Sequence, residues 1–288
     1  MSIRGASIPT TLAYFRNAVD NKAIEHAVLG LDFFSFRERP SMETEWPPAP
    51  PTYLPIGALG EIKSGFAFDD LSNMITTLFS LNSSIDSVMT IFNQNREVSS
   101  LTTSGFSDGL MFKEMYRSEG IENVFKHDLN TLDTKFRNVN YSIYDRNGLS
   151  RSFEALKLIV EIAHREGIKL DIVISPVHVL YLKKLKETGH LNLYLSWKRE
   201  LVSILKSKSY FENYSLYDFS GVNEYTTEKV PKEKNVSMKY WLEAAHFTPL
   251  LGEFIINNVN KKSKDFIVTP KNIETRVSSE LKYFETES

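Results

Sequence analysis

Three short apolar runs, each bounded by turn residues and preceded by an amphipathic helical stretch, restrict this chain to few folds. They are residues 27–34 (AVLGLDFF), 170–176 (LDIVISP) and 214–219 (YSLYDF). The first two are apolar at consecutive positions rather than alternate ones. That is the pattern of strands covered on both faces in a parallel sheet. The helix before the first run, over 9–21, places Leu12, Phe15 and Val19 on one stripe, with Pro9 suited to its first turn. The next, over 150–165, carries Phe153, Leu156, Ile159, Val160 and Ala163, and Gly167 supplies a C-terminal stop. The third, over 196–206, carries Trp197, Leu201, Ile204 and Leu205. Helix-then-strand, met at each of these runs, predicts a three-layer α/β/α fold with a mainly parallel, doubly wound sheet.

Two regions interrupt the alternation. Residues 40–60 contain Pro47, Pro48, Pro50, Pro51 and Pro55 and are expected to run extended on the surface. Residues 70–94 form a long apolar-rich helical stretch, broken near 82–84, and 97–148 are polar and weakly periodic. We read 40–148 as one large insertion after the strand at 27–34. Ligands of open α/β sheets bind at the C-terminal edge of the strands, so such an insertion overhangs the site as a lid. The expected organisation is a single domain over 1–260, with 261–288 a charged, peripheral tail.

Composition removes several functional classes. The 34 basic and 36 acidic residues of this 288-residue chain leave a net charge of -2. That gives no electrostatic footprint for nucleic acid or an anionic membrane surface. There is no cysteine, which excludes disulfides, thiolate metal sites and a cysteine nucleophile. No pair of histidines or carboxylates has metal-ligand spacing, so no metal is expected. No glycine-rich phosphate loop follows any strand, which argues against nucleotide binding, and no cofactor is expected. The first ten residues hold one arginine and no apolar h-region, and no stretch reaches the ~20 apolar residues of a spanning helix.

The most informative stretch is 240–249 (YWLEAAHFTP), followed by an amphipathic helix carrying Leu250, Leu251, Phe254 and Ile255. An acid three residues before a histidine can meet its Nδ1 from the same loop, fix its tautomer and stabilise the imidazolium. Glu243 and His246 have that spacing; a surface histidine at a helix N-terminus has it too. His178, in Ser175-Pro176-Val177-His178, follows the second strand at the edge where sites form, either binding substrate or satisfying local backbone. Asp32, at the end of the first strand, either binds substrate hydroxyls or caps a turn. Tyr53, Phe66, Phe68, Tyr240 and Trp241 can stack on sugar rings or fill core and loop packing.

In this order, "GLDFFSF", "ISPVH" and "YWLEAAHF" resemble the SGNH/GDSL hydrolase superfamily of esterases and O-acyltransferases. They resemble in particular its branch among bacterial surface-polysaccharide genes, distantly similar to alginate O-acetylation proteins. The resemblance spans roughly residues 1–258, and only the last motif is specific. It implies a carbohydrate or acylated small molecule as substrate, a periplasmic or cell-envelope setting, and His246 as general base oriented by Glu243. The superfamily has Asp where Glu243 stands. Where it has Gly-x-Asn, this chain has Gly30-Leu31-Asp32, and an ionised aspartate cannot donate to an oxyanion. Ser2-Ile3-Arg4-Gly5-Ala6-Ser7 is similar to the block whose glycine amide points into the oxyanion hole, which makes Gly5 the candidate. A tight strand-to-helix turn would use the same glycine.

The superfamily's nucleophilic serine lies upstream of that block. Ser7 is suited to capping the first helix, Ser104 and Ser107 lack a strand-turn-helix setting, and Ser175 is the remaining substitute beside His178. The expectation is therefore that Met1 is an internal methionine, that the first strand and the serine are missing, and that the chain alone is inactive. The sheet edge left open is expected to lower stability or promote association. The rival reading is a non-catalytic domain that binds polysaccharide or a partner protein in an assembly system.

Overall fold

The computed structural model describes residues 6–38, 110–137, 141–206, 214–234 and 236–286. The elements are α1 (Ile8–Asn21), β1 (His26–Leu31), a 3-10 turn (Phe33–Phe36), α2 (Leu110–Glu119), α3 (Ile121–Arg137) and α4 (Arg151–Arg165). They continue with β2 (Lys169–Ile174), α5 (Val179–Glu187), α6 (Leu191–Lys206), β3 (Tyr214–Asp218), α7 (Pro249–Asn260) and α8 (Ile273–Thr286). The strands form one parallel sheet in the order β1-β2-β3. The register runs from His26 opposite Lys169 to Leu31 opposite Ile174, and from Leu170 opposite Tyr214 to Ile174 opposite Asp218. The mixed α/β class expected from the alternation is what the chain adopts.

Local chemistry explains the starts of the helices. Ser7 caps α1 by accepting from the Thr10 amide, and Pro9 occupies the first turn, where no N–H is needed. Ser150 caps α4 through the Phe153 amide, and Glu38 accepts from the Arg151 amide at 2.7 Å, which ties the segment after β1 to the same helix end. At the other end Gly167 takes φ +68, the left-handed turn that lets the chain enter β2.

β2 is the covered strand: Leu170, Asp171, Ile172, Val173 and Ile174 are all buried. β1 departs from the expectation of cover on both faces. Only Leu31 is fully buried in it, and Val28 is 45% exposed. Among the described residues β1 pairs with β2 alone, and a strand at a sheet edge meets fewer packing partners than a central one.

Three more expectations are corrected. The described part of 40–148 is not simply polar and weakly patterned: Tyr116, Ile121, Val124, Phe125, Leu132 and Phe136 of α2 and α3 belong to the core. α2 packs on α3 and α3 on α5. The C-terminal stretch is not peripheral either, since α8 packs on α6 and buries Ile273, Val277, Glu280 and Phe284. Its anchor is Lys198 of α6, fully buried, which pairs with Asp218 at 2.7 Å and with Glu280. Third, α5 stands between β2 and α6, where no helix was anticipated, and α6 begins five residues earlier than its pattern suggested. The long helical stretch expected over 70–94 lies outside the described residues.

Beneath the C-terminal ends of the strands the core is aromatic. Phe33 and Phe36 of the 3-10 turn meet Trp197 edge-on, at centroid distances of 5.6 and 5.3 Å. Tyr141 donates to the Phe33 carbonyl at 2.7 Å. This packing holds the end of β1 and the turn that follows Asp32.

Candidate functional site

The segment 240–248 folds back on itself as a short two-stranded loop. Trp241 and Phe247 form an antiparallel bridge, the Leu242 amide donates to the His246 carbonyl at 2.8 Å, and the Thr248 amide donates to the Tyr240 carbonyl at 2.9 Å. The tip of this loop carries Glu243 and His246. Pro249 then opens α7, so the pair sits directly before the helix, as its spacing suggested.

Further ties fix the loop to the domain. The His178 amide donates to the Ala244 carbonyl at 2.9 Å, and the Trp241 indole N–H donates to the Tyr225 carbonyl at 2.6 Å. The Glu228 carboxylate accepts from the Lys239 and Tyr240 amides at 2.7 and 2.8 Å. Tyr116 of α2 donates its hydroxyl to the Leu242 carbonyl. Trp241 is fully buried, so this aromatic packs the core and offers no face to a sugar.

Within the loop, Glu243 Oε1 accepts from His246 Nδ1, and Oε2 accepts from the Ala245 amide at 3.2 Å. A carboxylate can only accept here, so Nδ1 carries the proton and Nε2 is the basic nitrogen of the neutral ring. The two side chains differ sharply in exposure: 73% for His246 against 6% for Glu243. The Phe112 ring of α2 lies beside the imidazole, with centroids 6.5 Å apart.

The carboxyls around the imidazole have unequal acidities. Burial pushes Glu243 up, but its hydrogen bonds to His246 and Asp128, and the charge of His246, leave it below the usual range. Asp128 of α3 is held at about 8, by burial first and then by its contact with Glu243. Asp32 is raised chiefly by burial, against the Ser35 and Phe34 amides and the charge of His246, which lower it.

The residues anticipated from sequence are brought together in part. Glu243 and His246 are hydrogen-bonded, and Asp32 stands within electrostatic reach of His246. Asp32 also caps the 3-10 turn, accepting from the Ser35 amide at 2.8 Å. His178 is placed differently. It is 2% exposed, its Nε2 donates to the Glu228 carbonyl at 2.7 Å, and its Nδ1 accepts from the Leu180 amide at 3.2 Å. Its ring is wedged between Phe125 and Trp241. It therefore supports the loop from behind, the backbone-satisfying alternative, and has no nitrogen left for a ligand. Gly5, Tyr53, Phe66, Phe68, Ser104 and Ser107 lie outside the described residues. Asp128, Tyr116 and Phe112 were not anticipated.

Among the described residues no group of three or more His, Cys, Asp or Glu could hold a metal ion, and no helix is long and apolar enough to cross a membrane. Comparison with protein-family models, with curated proteins and with solved structures gives no match.

Proposed function

We propose that this chain is an SGNH-type O-acyl esterase or O-acetyltransferase domain acting on a carbohydrate, with His246 as general base and Glu243 as the residue that orients it. The observation that carries the reading is the pairing of a buried carboxylate with an exposed imidazole through Nδ1. That arrangement makes Nε2 the proton-handling atom and stabilises the imidazolium formed in the reaction. His246 lies within electrostatic reach of Asp32, the residue that follows β1, at the strand end where open parallel sheets place their ligands. The three-layer arrangement belongs to the same proposal. α1 packs on α4, and α5 packs on both α3 and α6, which is the helical cover such a sheet requires.

The chemistry runs as an acyl transfer. Nε2 removes the proton from an attacking hydroxyl, whose oxygen adds to the acyl carbonyl. The resulting imidazolium, held by Glu243 and favoured by the charge of Asp32, then gives that proton to the departing sugar oxygen as the tetrahedral intermediate collapses. Asp32 is not used as an oxyanion donor. No described serine is assigned as the attacking group; Ser7 is engaged in capping α1.

The test is turnover of p-nitrophenyl acetate and of an O-acetylated oligosaccharide by the full-length protein. His246→Ala is expected to lower kcat/KM by about 10²-fold or more, and Glu243→Gln by less, since the ring keeps its place while losing its counter-charge. Equal turnover by wild type and His246→Ala would overturn the reading. Oligosaccharide binding without turnover would favour the non-catalytic binding domain.

A further inference from the structure

Glu243 has more partners than orienting a histidine requires. One oxygen takes His246 Nδ1, the other takes the Ala245 amide, and Asp128 shares a hydrogen bond with the same carboxyl. Asp128 Oδ2 is buried and meets no N–H or O–H donor. Two carboxyls in contact are compatible only if a proton lies between them, because like charges at that range cannot both persist. Among the described residues, other groups also face Asp128. Lys135, on the same helix, favours its ionised form, and the Ala244 amide donates to it. The buried phenol of Tyr181 on α5 feels the charges of both Asp128 and Glu243 and has itself been pushed far above the range in which it could ionise. Tyr116 is likewise held neutral by burial and by Glu243. Both Glu243 oxygens already accept N–H groups, from His246 Nδ1 and the Ala245 amide, so the shared proton belongs to Asp128.

We propose that Asp128 is a positioning residue that donates its carboxyl proton to Glu243 and so pins the Glu243 carboxylate against His246 Nδ1. This rests on the reading of Glu243 and His246 as a proton-handling pair, though not on the identity of the acyl group or acceptor. While Asp128 keeps its proton, the two carboxyls carry one negative charge between them. When Asp128 ionises, a second negative charge arrives behind the imidazole and makes it more basic, at the expense of the hydrogen bond that held Glu243 in line. His246 therefore senses two titrations, its own and that of Asp128.

The experiment is NMR of the full-length protein carrying nitrogen-labelled histidine and carboxyl-labelled aspartate, titrated from mildly acidic to alkaline pH. The expected result is an Asp128 carboxyl titrating near about 8, with a second inflection at the same pH in the His246 ring signals. In Asp128→Asn, which keeps a donor and cannot ionise, that second inflection disappears while the Nδ1–H bond to Glu243 persists. Asp128 titrating in the ordinary carboxylate range would overturn the proposal, as would His246 curves that coincide in wild type and Asp128→Asn. The Asp128 signal is read in the wild type, so a poorly folding variant does not remove the test. Ester turnover is a separate readout. A second inflection together with turnover indifferent to His246→Ala would sink the proposed function and leave the assignment of Asp128 standing.

Discussion

At Lys198 a single cation serves two buried carboxylates, and they do not share it equally. Asp218 also accepts from the Ser220 amide and hydroxyl, at 2.9 and 2.6 Å, and is held below the usual carboxylate range even though burial opposes this. Glu280 has one oxygen without a partner and is pushed up by burial. Removing the cation should therefore be far worse than removing the charge of the weaker carboxylate. Lys198→Met is expected to lower the unfolding free energy by about 3–5 kcal/mol, because it strands buried charge. Glu280→Gln is expected to leave that energy unchanged or raise it at neutral pH, and urea denaturation of both variants checks the contrast. The same logic gives His178 a pH dependence. Burial depresses its folded pKa below the ordinary 6.5, so the unfolded chain binds the extra proton more readily. Its contribution to stability is complete above that unfolded value and is lost as the pH falls through the folded one. His178→Asn should remove this part of the acid-side slope in a series of denaturation curves.

The helices were legible because their signals are local. A cap, a stripe at 3–4 spacing and a stop can all be read within one turn of the chain, and α1, α4 and α7 begin within a residue of where such signals place them. Ser150→Ala should accordingly cost about 1 kcal/mol, seen as a lower melting temperature. α8 was missed because a buried glutamate breaks its apolar stripe, and Lys198, distant in the chain, is the ion-pair partner that makes that glutamate tolerable. α3 does carry a stripe at Ile121, Val124, Phe125, Leu132 and Phe136, but the polar residues between them hid it. The exposure of β1 depends on which strands stand beside it, and periodicity carries no information about neighbours. The site divides along the same line. Glu243 and His246 meet within three residues and were found by spacing, whereas Asp128, Tyr116 and Phe112 arrive from α2 and α3 without a motif.

Taken as a whole, the molecule presents β1 as a strand paired on one side only among the described residues. Association through that edge is our proposal, and Val28, 45% exposed, is the place to test it. Val28→Lys is expected to change stability by no more than about 0.5 kcal/mol. It should also reduce self-association measured by analytical ultracentrifugation, since a lysine on an open edge opposes pairing with another chain. If the sedimentation of wild type and variant coincides, the edge is not an interface. The loop bearing Glu243 and His246 has a different relation to the whole. Its backbone is tied to β2–α5 through His178, to α2 through Tyr116, and to the segment before it through Tyr225 and Glu228. A loop held at so many points has no low-energy opening of its own. Its Leu242 and Tyr240 amides, and that of His178, should exchange with deuterium no faster than those of β2. Heat should then inactivate the site at the same temperature as the main calorimetric transition, with no earlier loss as the protein warms.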